Sequence, residues 1–377
     1  MSAQPERIVF TGDFLRPSVG GLHPTQHENI NWLAKVLQMP VGMASGLPCE
    51  TVHWDNNWMN RARFEASAIE AIYGTFWRRA DIHAWPYIFD APTLPAAVED
   101  MFTRLFAGSL VIGFELPPYL VNFCARHDID FIDCSLSPVR FMDDLLLQVS
   151  ASSSDITAAL RSYRVAEDLI RLQAGVLSSS VAKANPHPPR PNSLLLILQT
   201  RFDKVVIENR RFTTVLDHLE RLRDIAANYG TVLIKEHPLE PQPEVLSVLH
   251  SALPDSSRIT QENFYRLVAH DNLRGVAALS SSCVAEAGYF GKTGHYLIPG
   301  FNVDSFTPGI EGVNVDDVIL SPDFWRDLLG AAGCAVSDKD GLRLPAKPNR
   351  FRQQLRSAWG YNQIDTDIPV SWAMPPQ

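Results

Sequence analysis

Short blocks of apolar residues, each ending abruptly in polar ones, recur along this chain. They alternate with segments whose apolar positions fall every three or four residues. The blocks read as buried strands and the spaced segments as helices. RIVFTGD, 7–13, predicts a first strand breaking at Gly12-Asp13. The region 24–106 is mixed, with helical periodicity in NINWLAKVLQM and RARFEASAIEAIYGTFWRRA. Strand, helix and strand follow at 109–114, 118–127 and 129–134, and 155–182 is helical in pattern. A second series opens with the strand SLLLILQT, 193–200. After it come a helix over FTTVLDHLERLRDIAANYG, the strand TVLIKEH, a helix over PEVLSVLHSAL and the strand GVAALS. CVAEAGYFG then reads as a helix and HYLIPG as a strand.

Between the two series lies AKANPHPPRPN, 182–192, with four prolines in eleven residues. Proline at that density denies both helix and central strand, so the segment reads as a linker. Strands alternating with helices imply parallel sheets with crossover helices. The expected fold is therefore α/β and GT-B-like: two Rossmann-like domains with a cleft between them. The boundaries read as 1–181 for an N-terminal domain, 182–192 for the linker and 193–346 for a C-terminal domain. Residues 347–377, including PNRFRQQLRSAWGYN, read as an amphipathic helix packing back on the first domain.

Composition narrows the class. At 377 residues the chain is long enough for two ordinary cores, and 46% hydrophobic with 20% charged residues is a globular balance. A net charge of -9 argues against nucleic acid as a partner. No apolar run is long enough to span a bilayer, and MSAQPERIVF carries no export signal, so a cytoplasmic location is expected. The five cysteines form no CxxC pair and read as reduced thiols. The histidines show no metal-ligand spacing, so no metal is expected.

The candidate chemistry sits where predicted strands end. Ligands of open α/β sheets collect at carboxyl ends of strands, where helix N-termini point at them. TVLIKEHPLEP ends in Lys235, His237 and Pro238. Pro238 suits the first turn of a helix, leaving His237 and the helix N-terminus facing one point. A histidine there can stabilise a departing phosphate. GVAALSSSCVAEAGYF ends in Ser280, Ser281 and Ser282 before a helix. One serine would cap that helix in any case, whereas three hydroxyls with the helix N–H groups make an anion nest. In LLLILQTRFDK, Asp203 lies just beyond a strand end, suited to a nucleophile, base or sugar ligand, and equally to capping a turn. Gln199 and Arg201 are placed to orient sugar hydroxyls or a carboxylate. From the first half, Glu115 in VIGFELPPYL sits in apolar surroundings that would raise its pKa and suit acid/base work. Asp133 ends the next strand and is a rival for that role; Asp13 and Arg16 are candidate acceptor contacts.

Several motifs are missing. FGKTGH lacks the upstream glycine of a P-loop, no GxGxxG follows RIVF, and LSSSVAK lacks the GxSxG elbow.

LQTRFD, KEHP and SSS in the second series, after GFELPP and FIDCSLSPVRF in the first, together resemble the bacterial β-Kdo transferases of capsule and O-antigen synthesis. The resemblance is to the retaining group, glycosyltransferase family ninety-nine. It implies CMP-Kdo as the donor, with CMP held by the second domain and the acceptor by the first. It implies that His237 and the serines hold the phosphate with help from Lys235, and that no cofactor or metal is needed. Asp203 matches the position of that family's nucleophilic carboxylate. Glu115, or failing that Asp133, would deprotonate the acceptor hydroxyl of a glycan or lipid-linked glycan, and Arg201 would meet the Kdo carboxylate. Peripheral association with the inner face of the inner membrane, through other assembly proteins, is also implied. Transferases using CMP-sialic acid or CDP-glycerol share the HP and serine elements and stay open as alternatives. So does a non-catalytic sugar-nucleotide-binding module.

Overall fold

The computed structural model describes residues 4–17, 26–53, 66–182, 188–238, 240–253, 256–301, 303, 309–337 and 351. Strand β1 (Arg7–Gly12) is followed by α1 (Gln26–Ser45), β2 (Cys49–Thr51), α2 (Ala66–Thr75), α3 (Trp85–Phe89) and α4 (Ala96–Phe106). Next come β3 (Ser109–Phe114), α5 (Pro118–Arg126), β4 (Phe131–Leu136), β5 (Leu147–Ala151), α6 (Ser154–Arg161) and α7 (Glu167–Ala182). The second series runs β6 (Ser193–Ile197), β7 (Ile207–Glu208), β8 (Arg211–Phe212), α8 (Leu219–Ala226), β9 (Thr231–Lys235) and α9 (Pro243–Ala252). It continues with β10 (Arg258–Ile259), α10 (Phe264–Val268), β11 (Leu273–Ala278), α11 (Ser282–Tyr289) and β12 (Thr293–Tyr296). Last are β13 (Val313–Val315) and α12 (Pro322–Ala331).

These strands form two principal sheets. The first has the order β13-β5-β4-β3-β1-β2, with β2, β1, β3 and β4 parallel. Antiparallel β5 and β13 close one edge, which the expectation of purely parallel pairing did not include. The second sheet, β10-β9-β6-β11-β12, is parallel throughout. Strand order reverses beside β1 in the first sheet and beside β6 in the second, and such reversals open a crevice at the strand ends.

Both faces of each sheet are buried, which explains the unbroken apolar runs. Ile8, Phe10, Leu110, Ile112 and Phe114 face one core with Leu33 and Leu37 of α1. Val9 and Val111 face another with Phe102, Phe106, Leu120 and Phe123. In the second sheet Leu194 and Leu196 pack to one side and Leu195 to the other.

The last elements of each series change partners. The apolar stripe of α7 (Ile170, Ala174, Leu177 and Val181) packs on the second sheet's core with Phe264, Tyr265 and Val268. Conversely β13 pairs with β5, and Phe324, Trp325 and Leu328 of α12 fill the first core. The sequence boundaries at 181 and 346 therefore do not coincide with the packing, because helical periodicity fixes which face is buried but not against which sheet. The periodic stretch 155–182 is also two helices, broken where Val165 N–H donates to Asn314 O. Part of the proline segment, and all of the tail helix except Phe351, lie outside the described residues. Phe351 packs against Trp32 in the first core.

Candidate active site between two strand-order reversals

At the carboxyl end of the first sheet, Gly12, Phe114 and Cys134 lie side by side in register, and the following residues carry polar groups. The strands close up here through glycine. A Cβ on Gly12 would lie 2.7 Å from Phe114 O, and one on Gly113 would lie 2.1 Å from Leu116 Cγ. Asp13 is buried and accepts hydrogen bonds from Trp85 Nε1 (2.8 Å) and Tyr119 Oη (3.0 Å). Burial drives its pKa up to about 6 against the opposing pull of those two donors. Asp133, only 4% exposed, accepts from Leu116 N–H (2.9 Å) and is likewise pushed up to about 6 by burial. Glu115 sits between them at φ 55°, a left-handed conformation uncommon for a non-glycine residue. Its N–H donates to Cys134 O (3.0 Å), and its carboxylate pairs with Lys204 Nζ at 3.2 Å.

At the carboxyl end of the second sheet, Lys235, Ile197 and Ala278 stand in one row across β9, β6 and β11. Gln199 and Ser280 meet across the β6–β11 crevice. Gln199 Nε2 donates to Ser280 Oγ (3.2 Å), and Ser280 N–H donates back to Gln199 Oε1 (2.9 Å). Ser280 Oγ in turn donates to Val205 O (2.6 Å), so this buried hydroxyl is committed to fixing the loop after β6. Ser281 is the N-cap of α11, its side chain accepting from Cys283 N–H (3.3 Å), and Ser282 opens the helix. Capping thus accounts for one serine and loop attachment for another. Cys283, in the first turn of α11, is raised to about 12 by burial, with the charges of Arg140 and Lys235 acting in the opposite direction.

Pro238 differs from expectation. It does not open a helix: His237 and Glu240 form an antiparallel bridge on either side of it, and Pro243 takes the first position of α9. Glu240 and Gln242 are tied to the loop after β6 before α9 begins. Arg201 donates from its backbone N–H to Glu240 (2.9 Å) and pairs with the same carboxylate through its guanidinium. Gln242 Nε2 donates to Gln199 O (2.7 Å). The histidine turn and the loop carrying Asp203 are therefore one tied unit. His237 and the start of α11 follow β9 and β11, the two strands that flank β6.

Asp203 is the N-cap of a short 3₁₀ turn over Lys204–Val206, with Oδ1 accepting from Val205 N–H (3.3 Å). On both sides of Asp203 the loop touches the first sheet. Arg16 Nη2 donates to Phe202 O (2.6 Å), and Lys204 pairs with Glu115. Thus Arg16 and Glu115 reach the segment carrying Asp203, whereas the hydrogen bonds of Asp13 and Asp133 stay within the first series. Gln199, Arg201, Lys235, His237 and Ser280–Ser282 occupy the second sheet's own edge.

Sequence reasoning missed Trp85, Tyr119, Lys204, Gln242 and Arg140. Lys204 adjoins Asp203 in LQTRFDK and was visible as a cation, but its partner lies in the other series. Arg140, in the loop after β4, anchors by its N–H to Glu286 of α11 (2.8 Å), a pairing that no local pattern encodes. Among the described residues no group of three or more His, Cys, Asp or Glu side chains is arranged to hold a metal ion. No described helix is long and apolar enough to cross a membrane.

No protein-family model matches the chain, and no curated protein matches it. Among solved structures it is similar to the β-Kdo 2,7-transferase of Thermosulfurimonas dismutans KpsC. Identity there is 16%, 63% of this chain and 80% of that chain are covered, and the TM-score is 0.36. It is also similar to the β-Kdo 2,4-transferase of the same KpsC, at 14% identity, 59% and 78% coverage and a TM-score of 0.31. Likeness at that level carries no argument about activity, which has to come from the side chains.

Proposed function

We propose that the chain is a glycosyltransferase with a GT-B-like arrangement, moving Kdo from CMP-Kdo to a bacterial surface-glycan acceptor with retention of configuration. One observation carries the reading. The loop bearing Asp203 leaves the second sheet at its strand-order reversal and is gripped by residues from the reversal of the first. A group seated there has carboxylates on one side and cations, hydroxyls and a helix N-terminus on the other. That polarity suits a sugar leaving a phosphate.

In this mechanism CMP lies on the second sheet's edge, its phosphate facing His237, Lys235 and the N–H groups of α11 beside Ser281 and Ser282. A carboxylate oxygen of Asp203 attacks the anomeric carbon. The bond from that carbon to the phosphate oxygen breaks, and CMP departs with the electron pair. The acceptor hydroxyl oxygen then attacks the same carbon, the ester bond to Asp203 breaks, and the hydroxyl proton passes to Glu115. Two inversions give net retention. Glu115 is preferred to Asp133 as base because its carboxylate borders the Asp203 loop, whereas Asp133 is buried beneath Leu116. Lys204 holds the Glu115 carboxylate against that loop. The leaving group is a phosphate monoester anion that protein donors alone can stabilise, so no metal or cofactor is invoked.

The test is to incubate the enzyme with CMP-Kdo without acceptor and to digest it for mass spectrometry. A Kdo adduct on the peptide containing Asp203 is expected. An Asp203 peptide that never changes mass, together with an inverted product once acceptor is added, would sink the double displacement.

A further inference from the structure

Asp203 is flanked by two attachments to the first sheet, and one of them rests on a buried assembly with no part in the mechanism above. The Arg16 guanidinium lies 4.6 Å over the Trp85 ring while its Nη2 donates to Phe202 O at 2.6 Å. Trp85 is itself fixed, being fully buried with Nε1 donating to Asp13 Oδ2, and Asp13 is held from its other oxygen by Tyr119. Tyr73 Oη donates to Leu15 O (2.9 Å), pinning the backbone between Asp13 and Arg16. The Phe202 ring stands edge-on to His83 and to Phe212, each at 5.3 Å, and Phe212 in turn meets Trp85 at 5.9 Å. Both Asp13 oxygens are thus engaged within the protein, and Arg16 is occupied by a carbonyl and an aromatic face. Neither arrangement is that of a sugar ligand.

We propose that Arg16 is a positioning residue. With Asp13, Trp85 and Tyr119 it forms a latch on the first sheet that holds the Phe202 carbonyl and so sets where Asp203 points. Catalytic geometry is sensitive to displacements of about 1 Å, which cost about 10²-fold in rate. Without Arg16 the loop keeps Lys204–Glu115 and its ties to Ser280 and Glu240, but loses the attachment at Phe202, the residue next to Asp203. This role rests on the reading of Asp203 as nucleophile, and it replaces the acceptor contact that the sequence offered for Asp13 and Arg16.

The experiment compares Arg16→Gln and Arg16→Lys with the wild type in the full-length chain. It measures amide exchange at Val205 and Val206, kcat and acceptor KM with CMP-Kdo, and CMP affinity by calorimetry. Arg16→Gln is expected to speed exchange at Val205 and Val206 about tenfold, since local opening tracks the lost attachment. It should also lower kcat about 10²-fold with CMP affinity unchanged. Arg16→Lys, which keeps a cationic donor, should recover part of both effects and serves alone if the glutamine variant does not fold. Unchanged exchange, or a rise confined to acceptor KM, overturns the latch. If the wild type transfers nothing from CMP-Kdo yet Arg16→Gln still loosens 205–206, the proposed reaction fails and the latch stands.

Discussion

The carboxyl edges of the two sheets solve the same topological problem with opposite chemistry. The first sheet's edge buries acids: Asp13 and Asp133 lie among aromatic and aliphatic side chains, and burial holds both near pKa 6. The second edge carries Lys235 at the end of β9, His237 just after it, and the hydroxyls and helix N-terminus of α11 after β11, groups that favour anions. An acid edge facing a basic one divides labour between the sheets. In the proposed transfer the second edge would hold the leaving phosphate, while the first supplies carboxylates and grips the loop that carries Asp203. The acid edge also has a cost. A carboxylate with a raised folded pKa binds its proton more tightly folded than unfolded, so at neutral pH Asp13 and Asp133 oppose folding.

The contrast breaks most visibly at Asp203, the point where the two edges meet. Asp203→Asn should lower transfer about 10⁴-fold with CMP binding retained, measured by product formation and calorimetry on the same samples. Loss of CMP binding as well would mean that Asp203 belongs to the phosphate side. His237→Ala probes the basic edge and should lower kcat about 10²-fold, the scale of removing one donor from a developing anion. It should also slow formation of the Asp203 adduct; an unaltered adduct rate would remove His237 from the phosphate.

The acid edge is sharpened by pH. For Asp13, with an ordinary value of 3.8 and a folded value of about 6, the favourable contribution is fully present below pH 3.8 and is lost as pH rises through about 6. Asp13→Asn should abolish that loss, worth roughly 3 kcal/mol. The check is denaturant unfolding of wild type and variant at pH 4 and pH 7, comparing the change between pH values. Glu99 and Glu311 have lowered pKa values and so destabilise toward acid, but they do so equally in both proteins. A wild-type and variant difference that does not vary with pH would show that Asp13 is not buried as a proton-binding group. The smallest effect is on stability at Glu115. Asparagine adopts left-handed backbone more readily than glutamate, so Glu115→Asn should leave stability unchanged or raise it by up to about 1 kcal/mol while transfer falls. Clear destabilisation would assign Glu115 a structural role through Lys204 instead.

Much of the fold was legible because burial on both faces writes itself as unbroken apolar blocks. The blocks beginning at 7, 109, 193, 231 and 275 are all strands within a few residues of their expected limits. Strands β2 and β13, three residues each, were too short to leave a pattern. The helix expected over 212–230 begins only at Leu219, because Thr214 and Asp217 form a capping box that first closes a 3₁₀ turn. Pro238 was read one turn too early: Pro243 offers the same helix-start signal, and only the Arg201–Glu240 and Gln242–Gln199 contacts show why the chain waits. Of the three serines, Ser281 was readable as a cap from its place before an apolar run. Ser280 could not be assigned, since its hydroxyl is committed to Val205, a residue from another strand's loop.

By itself the sequence determined which residues sit at strand ends. Periodicity and burial are local properties, and a polar residue after a buried strand has only the sheet's edge to occupy. Tertiary structure decided what those residues face. It brought Arg16 to Phe202, Lys204 to Glu115 and Arg140 to α11, and it exchanged α7 and α12 between the two cores. Such pairings join positions far apart in the chain, and they follow from strand order and from which sheet a helix covers. Neither is written in the spacing of apolar residues, which is the same whichever surface a helix meets.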